Sequence, residues 1–482
     1  MGERTWFLLV ILVVAIGLLV TLINSRLRLH PFVALLVVSL ATGLAAGEPA
    51  GQIAKSMETG AGDILGNVGV TLALGTMLGR LLADSGATDR IAAAVVERST
   101  PRTLPWLMTL AAFIIGIPMF FEVGLIVLLP LVFSVAERLR LSGGAGKASS
   151  YTLLATPTIA ALATLHGMVP PHPGPLIAVS GLHADLGKTI LVGLVCAVPT
   201  VILAGPVFGR WLSTRLSIEP DRALVDQFTH RGAIDERDGE RDLAGAGVPA
   251  RETGSGGGPC RAVPTRTAVV SILVPVALML LRTLTEIVLP DGNGFRAATV
   301  LLGEPVIAML AGFLFALFAL ALLRGRDGES VRRSLADSLK PVVGILLIIG
   351  GGGAFNEVLQ DSGISDAVGS AAGGLSISVL VLGWLLALLL SASTGSATVG
   401  IVASTGIVAP LLHNGGGWYT SMVVVAIGAG SIGLNYVNHA GFWLVKESFG
   451  MSMGQATKLH TTVQTLVSVL GLLMLLVLNL FV

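Results

Sequence analysis

The chain has 482 residues, of which 53% are hydrophobic and only 12% charged, and its mean hydropathy is +0.84. A soluble domain carries about 25% charged residues, so the composition excludes one and specifies a polytopic membrane protein. A net charge of +1, with Lys and Arg scattered between apolar runs, excludes nucleic acid as a partner.

Residues 5–23 form the first apolar run. Arg4 precedes it, as in a secretory signal, but the run is too long for one, no small-residue cleavage site closes it, and Arg26 and Arg28 follow at once. It is predicted to be a membrane span. Crossing the hydrocarbon core takes about 20 helical residues, and further runs near that length occur at 31–46, 68–83, 150–170 and 189–209. The stretch 210–266 is rich in Arg, Asp and Gly and includes Gly254-Ser255-Gly256-Gly257-Gly258-Pro259. It cannot bury a core and is predicted to be a disordered cytoplasmic linker. Apolar runs resume at 268–289, 305–323, 341–355, 420–436 and 456–482. Cys196 lies in an apolar run and Cys260 in the Gly-rich stretch, which predicts neither a disulfide nor a metal site.

The two series echo each other. Residues 77–90 read MLGRLLADSGATDR and 354–367 read AFNEVLQDSGISDA. In the same order, Leu128-Leu129-Pro130-Leu131 matches Val408-Ala409-Pro410-Leu411, and Pro171-His172-Pro173-Gly174 matches Asn438-His439-Ala440-Gly441. The expected organisation is a first transmembrane repeat over 1–209, the linker over 210–266 and a second repeat over 267–482. Each repeat also holds one run too long for a single span, 104–136 and 375–412. Gly116, Pro118, Glu122 and Gly124 interrupt the first; Ser391, Ser393, Thr394, Gly395, Ser396 and Thr398 interrupt the second. Such breaks are tolerated at bilayer depth only inside protein or beside a wet cavity, so both runs are read as broken or re-entrant hairpins.

Charge sets the orientation. Arg26, Arg28, Arg90, Arg98, Arg102, Arg138, Arg140 and Lys147 fall in loops of one face, with the linker, and the positive-inside bias makes that face cytoplasmic. In the second half the corresponding loop, 357–374, carries Glu357, Asp361 and Asp366 without Lys or Arg, whereas Arg324, Arg326, Arg332, Arg333 and Lys340 occupy the place matching the 47–67 segment. The bias reverses, as inverted-topology repeats require. The fold class is therefore an all-α polytopic membrane protein of two inverted repeats, with both termini external.

Glu122 is the one acid in the middle of 104–136. A central charge costs at least a few kcal/mol unless it meets a cavity or a partner, and its protonated form is the cheaper one to move. It either couples a proton to transport or braces the hairpin by hydrogen bonds to nearby amides. Gly395-Ser396-Ala397-Thr398 offers hydroxyls and a helix start that favours an anion, although such hydroxyls also bond to their own backbone. Residues 169–175, with four prolines, must unwind. That places His172, and its counterpart His439, where they could donate to a carboxylate or hydroxyls, with His166 nearby; a metal site is not expected. Gly350 to Gly353 lacks the Lys-Ser/Thr of a phosphate loop and is assigned to close helix packing. Asp84, Asp89, Asp361 and Asp366 are assigned to helix capping.

On these residues the chain resembles the gluconate permease (GntP) family of bacterial secondary transporters, within the ion-transporter superfamily. The resemblance is carried by Ala83-Asp84-Ser85-Gly86-Ala87, Phe121-Glu122-Val123-Gly124, 169–175, Gly350-Gly351-Gly352-Gly353-Ala354-Phe355, Gly395-Ser396-Ala397-Thr398-Val399 and Gly441-Phe442-Trp443-Leu444, and spans nearly everything except the linker. It implies proton-coupled uptake of gluconate or a related sugar acid across the bacterial inner membrane, with no cofactor and no enzymatic activity; some relatives carry D-serine. On the leading reading the carboxylate sits at the hairpin tips near Gly124, Gly395, Ser396 and Thr398, the hydroxyls meet His172, Asn438 and His439, Glu122 takes the proton, and Phe121 and Gly174 complete the expected substrate-binding set. Two departures stand out: Ser391 replaces an Arg common in sugar-acid members, and His439-Ala440 replaces an Asp-Pro. The expected partners are a small carboxylate, a proton and the lipid bilayer, with homo-oligomerisation left open. The alternatives are another small carboxylate such as D-serine or glycerate, or a passive anion channel, which would lack saturable counterflow. A hydrolytic pair of Ser396 with His439 has no spacing in its favour.

Overall fold

A computed structural model describes residues 3–24, 26, 28–96, 99–141, 148–220, 263–290, 292–372, 378–412, 417–436 and 439–481, and these contain helices and connections but no strand. The first half runs α1 (Glu3–Asn24), α2 (Pro31–Ala46), α3 (Ala50–Asp84), α4 (Ala87–Val96), α5 (Leu104–Gly116), α6 (Phe121–Leu141), α7 (Ser150–Met168), α8 (Pro173–Gly181) and α9 (Leu186–Ser213). The second half runs α10 (Thr265–Val288), a short α11 (Gly294–Leu302), α12 (Pro305–Arg324), α13 (Gly328–Asp361), α14 (Ile364–Ala372), α15 (Val379–Thr394), α16 (Ala397–Val408), α17 (Trp418–Ser431), α18 (Ala440–Ser448) and α19 (Met453–Leu478). Apart from α11 each half contains nine of these helices among the described residues. Among the described residues, eight helices are long and apolar enough to cross a bilayer. Large apolar side chains such as Trp6, Phe7, Val13 and Val14 on α1 are exposed, the mark of a face that meets lipid.

Local chemistry sets several boundaries. Pro31 opens α2, where its missing N–H is no loss, and the His30 side chain accepts from the Phe32 N–H. Gly47, at φ +87°, closes the helix in the left-handed conformation glycine adopts freely. α9 carries a π-turn at Leu203–Val207, around Pro206. The chain stays packed beyond residue 209, with Leu212, Leu216 and Ile218 buried; 221–262 of the expected linker lie outside the described residues.

α3 and α13 are far longer than their apolar runs, 35 and 34 residues, because the polar start of each packs along the end of the other. They lie antiparallel. Ser56 Oγ is 2.6 Å from Asp361 Oδ2 at one end, and Ser334 Oγ donates to Asp84 at the other. Between them, a Cβ on Gly60 would meet the Gly353 carbonyl and one on Gly350 would meet Leu65. Asp84 and Asp361 therefore do not cap helix starts: each ends a long helix and reaches a serine on the opposite one. The four glycines 350–353 do pack closely, against Leu65, Phe32, Val402 and Gly60 respectively.

The contacts are exchanged between the halves. α2 packs on α13 and α12 on α3; α1 packs on α14 and α10 on α4; α8 lies on α16 and α18 on α6. At the centre, α7 and α17 are buried nearly all round. Neither shows a polar face, as expected of a core helix, and Thr156, Thr158 and Thr164 on α7 satisfy their hydroxyls on carbonyls one turn back. The two helices cross glycine on glycine, with a Cβ on Gly428 falling 1.8 Å from the Gly167 carbonyl oxygen.

Candidate functional site

Both long runs break where the sequence interrupts them. α5 ends at Gly116, the Met119 N–H reaches back to the Gly116 carbonyl, and α6 begins at Phe121. α15 ends on Gly395, whose φ of +72° is left-handed, and Ser396 caps α16 by accepting from the Val399 N–H at 3.3 Å. Residues 169–172 are likewise unwound, and His172 precedes α8, with Pro173 and Pro175 in its first turn. His439 precedes α18 in the same way. Four helices thus start inside the bundle.

The starts pair across the halves. A Cβ on Gly174 would stand 2.6 Å from Ile401 Cδ1, and one on Gly181 would stand 2.5 Å from Thr405 Cγ2, so α8 runs along α16 in the same direction. A Cβ on Gly441, at the start of α18, would stand 3.3 Å from the Phe121 ring at the start of α6. Each start carries about half a positive charge. Together they make the bundle interior hospitable to a carboxylate.

Around the Gly116 to Glu122 break the structure gathers a set of imidazoles. The rings of His166 and His172 are 5.8 Å apart, and His172 stands beside the Gly116 carbonyl. His460 packs between Phe121, at 5.8 Å, and Phe442, at 6.0 Å. His439 Nδ1 and His460 Cε1 both lie under 4 Å from the Cβ position of Gly441. Glu122 is half-buried, within electrostatic reach of His166 and His439, and among the described residues no hydrogen bond or ion pair engages its carboxylate. Buried ring nitrogens on His166, His172, His439 and His460 also have no partner among the described residues. Each unsatisfied buried donor or acceptor costs about 1–3 kcal/mol, and a polyhydroxy acid offers the groups that would engage several at once.

Of the residues anticipated from sequence, Phe121, Glu122, His172 and His439 belong to this region. Gly124 and Gly174 occupy close-packing positions, where a Cβ would fall 2.8 Å from Leu162 and 2.6 Å from Ile401. Gly395 and Ser396 shape the tip of the second hairpin, Thr394 bonds to the Leu390 carbonyl at 2.7 Å, and Thr398 sits half-buried in the first turn of α16. Asn438 lies outside the described residues. Sequence reasoning missed His460, together with the buried Asn435 and Gln464 pair at 2.6 Å. The available signal was the run of polar residues Lys458, His460, Thr461, Thr462 and Gln464 at the start of the last span. Ser391 is buried, and its hydroxyl donates to the Ser431 carbonyl at 2.6 Å, tying α15 to α17.

Comparison with known proteins agrees with this architecture. The sequence profile of the GntP family permeases matches residues 7–240 and 262–481. A gluconate permease of Pseudomonas aeruginosa strain PAO1 is 42% identical over 480 residues, covering 100% of this chain and 99% of that protein. The high-affinity gluconate transporter of Escherichia coli K12 is 36% identical, covering 98% and 100%. Among solved structures, the Neisseria gonorrhoeae antimetabolite efflux pump MtrF superposes with a TM-score of 0.61 at 14% identity over 96% of each chain, a likeness of fold. The paired helix starts, the broken hairpins and the end-to-end profile match lead to one conclusion: the chain belongs to the GntP family of permeases.

Proposed function

We propose that the protein takes up gluconate, or a closely related small hydroxy acid, across the bacterial inner membrane together with protons. It is a permease, not an enzyme. The observation that carries the coupling is Glu122, a half-buried acid at an interior helix start with neither hydrogen bond nor ion pair among the described residues. A charge so placed is expensive to carry through lipid, and a bound proton removes it. The substrate carboxylate meets the helix starts, and its hydroxyls meet the imidazoles.

Two halves of inverted topology expose this site to each side in turn. The antiparallel packing of the equivalent helices α3 and α13 supports this, since an axis relating them lies across both helices and so in the membrane plane. The reversed charge bias of the loops supports it too, with both termini external and the 210–266 linker between the two repeats cytoplasmic.

Proteoliposomes test the reading. An inward proton gradient should concentrate labelled gluconate, and Glu122→Gln should keep counterflow but lose accumulation. Accumulation driven by sodium alone refutes proton coupling, and flux that never saturates identifies a channel. A second substrate reading has one observation in its favour: Ser391 and His439 stand where sugar-acid members carry a cation and an acid. A panel of gluconate, fructuronate, glycerate and D-serine decides between them.

A further inference from the structure

Three cavities line up along one face of α3. The largest, about 390 Å³, lies between Gly66, Val68 and Thr71 of α3, the far half of α8 and the corner between α10 and α12. The next, only about 10 Å³, is enclosed by Leu72 and Thr76 with Ile117, Phe120, Pro171 and His172. The third, about 290 Å³, is a groove that starts at Thr76, Pro118 and Phe120 and runs past Gly79 and Ala83 on one side and the apolar Val123, Ile126 and Val127 of α6 on the other to Arg80 and Asp337.

The three are segments of one line. Apart from Gly66, the α3 residues that touch them fall in two adjacent rows with spacings of three or four, Val68-Thr71-Gly75-Gly79-Ala83 and Leu72-Thr76-Arg80, on one side of the helix. The first and second cavities meet α8 at Leu176 and His172, one turn or about 5.4 Å apart. The second and third share Thr76, Pro118 and Phe120. This face is built mostly of glycine, alanine and threonine, and two buried polar atoms on the line have no partner among the described residues: the Thr71 hydroxyl, on a residue 1% exposed, and Nε2 of His172, 3% exposed. A cavity of 10–15 Å³ holds about one water, so the middle segment is shut. Small-ligand pockets occupy about 300–1,000 Å³, and the first cavity falls in that range.

We propose that the small-residue face of α3 is the wall along which the hydroxy acid travels, with a gate at Leu72, Phe120 and His172. Thr71 on the outer side offers an unpartnered hydroxyl, and Thr76 on the inner side, whose hydroxyl donates to the Leu72 carbonyl at 2.9 Å, offers an acceptor, in place of the water the substrate sheds. This rests on the permease reading and on the expected cytoplasmic position of the basic loop after α3, with Arg90, Arg98 and Arg102.

Cysteine scanning in membranes tests it. In a chain with Cys196 and Cys260 replaced by Ser, Thr71→Cys and Thr76→Cys are compared with Val70→Cys, whose native side chain is 47% exposed toward lipid. The anionic thiol reagent MTSES should modify Thr71→Cys from outside and Thr76→Cys from inside, each at least about tenfold faster than Val70→Cys, and gluconate should slow both. If neither position outpaces Val70→Cys in a chain that still takes up gluconate, the route is wrong. Should a cysteine variant fail to reach the membrane, Thr71→Val and Thr76→Val replace it: KM raised several-fold with kcat kept is expected, and an unchanged KM overturns the assignment. Rapid, sided labelling in a parent chain that does not transport gluconate, protected instead by another acid of the panel, faults the substrate and leaves the route standing.

Discussion

Replacing Gly428 by alanine should destabilise the protein, although alanine is the better helix former. The added Cβ would stand 1.8 Å from the Gly167 carbonyl oxygen. Carbon contacts settle at about 3.5–4.0 Å, so α7 and α17 must part by more than an ångström, and neither end of the clash is a flexible side chain. Overpacking of this kind costs about 1–3 kcal/mol; removing a helix-interior glycine returns about 0.5–1 kcal/mol. The net loss is about 1–2 kcal/mol, at a crossing where close packing holds membrane helices together. Gly62 on α3 is the internal control, because a Cβ there has no neighbour within 4 Å, and Gly62→Ala should hold or raise the melting point. Melting in detergent, read as loss of the monodisperse size-exclusion peak, compares the two. If Gly428→Ala melts as high as Gly62→Ala, the helices do not cross at this distance and the inference of a tightly closed centre fails.

Other consequences are equally open to measurement. Gly395→Ala places a side chain at φ +72°, which costs about 1–2 kcal/mol; Gly395→Asn should fall between alanine and wild type in melting point, and equal melting of all three would remove the strain argument. Ser56→Ala and Asp361→Asn, combined in a double-mutant cycle, should show about 1 kcal/mol of coupling across the 2.6 Å contact; strict additivity denies it. Glu329, outside the spans, accepts hydrogen bonds from Arg332 and Arg333, which hold its carboxyl down to about 2 from an ordinary 4.5. A lowered pKa gives stability above the ordinary value that is lost as pH falls toward 2. The melting difference between wild type and Glu329→Gln should therefore be flat from about pH 8 to pH 6, and a slope in that window contradicts the assignment.

Much of this architecture is legible in the residues. α2 occupies the expected 31–46 because Pro31 and Gly47 punctuate it, and the hairpins break beside Gly116 and at Gly395, where sequence alone interrupts apolar runs. The first half of α3 is not legible. Residues 50–67 carry Gln52, Lys55, Glu58, Asp63 and four glycines, a composition that reads as a loop, and they are helical because α13 lies against them. The acidic helix ends were misjudged for the same reason: Asp84 and Asp361 find their serines roughly 250 and 305 positions away, beyond the reach of any local rule. Within the site, Glu122, His172 and His439 stood out as polar groups beside helix breakers. His460 did not, because nothing in its own segment marks the aromatic slot between Phe121 and Phe442.

The swapped pairing of α2 with α13 and α12 with α3 has a consequence for biogenesis. When synthesis has reached α9, the second-half partners of α1, α2, α3 and α8 are still unmade, so the leading half must wait in the bilayer with part of its flanks uncovered. Maturation is therefore a late, concerted zippering, and a chain severed within 221–262 should yield two fragments that are degraded separately yet rescue each other when coexpressed.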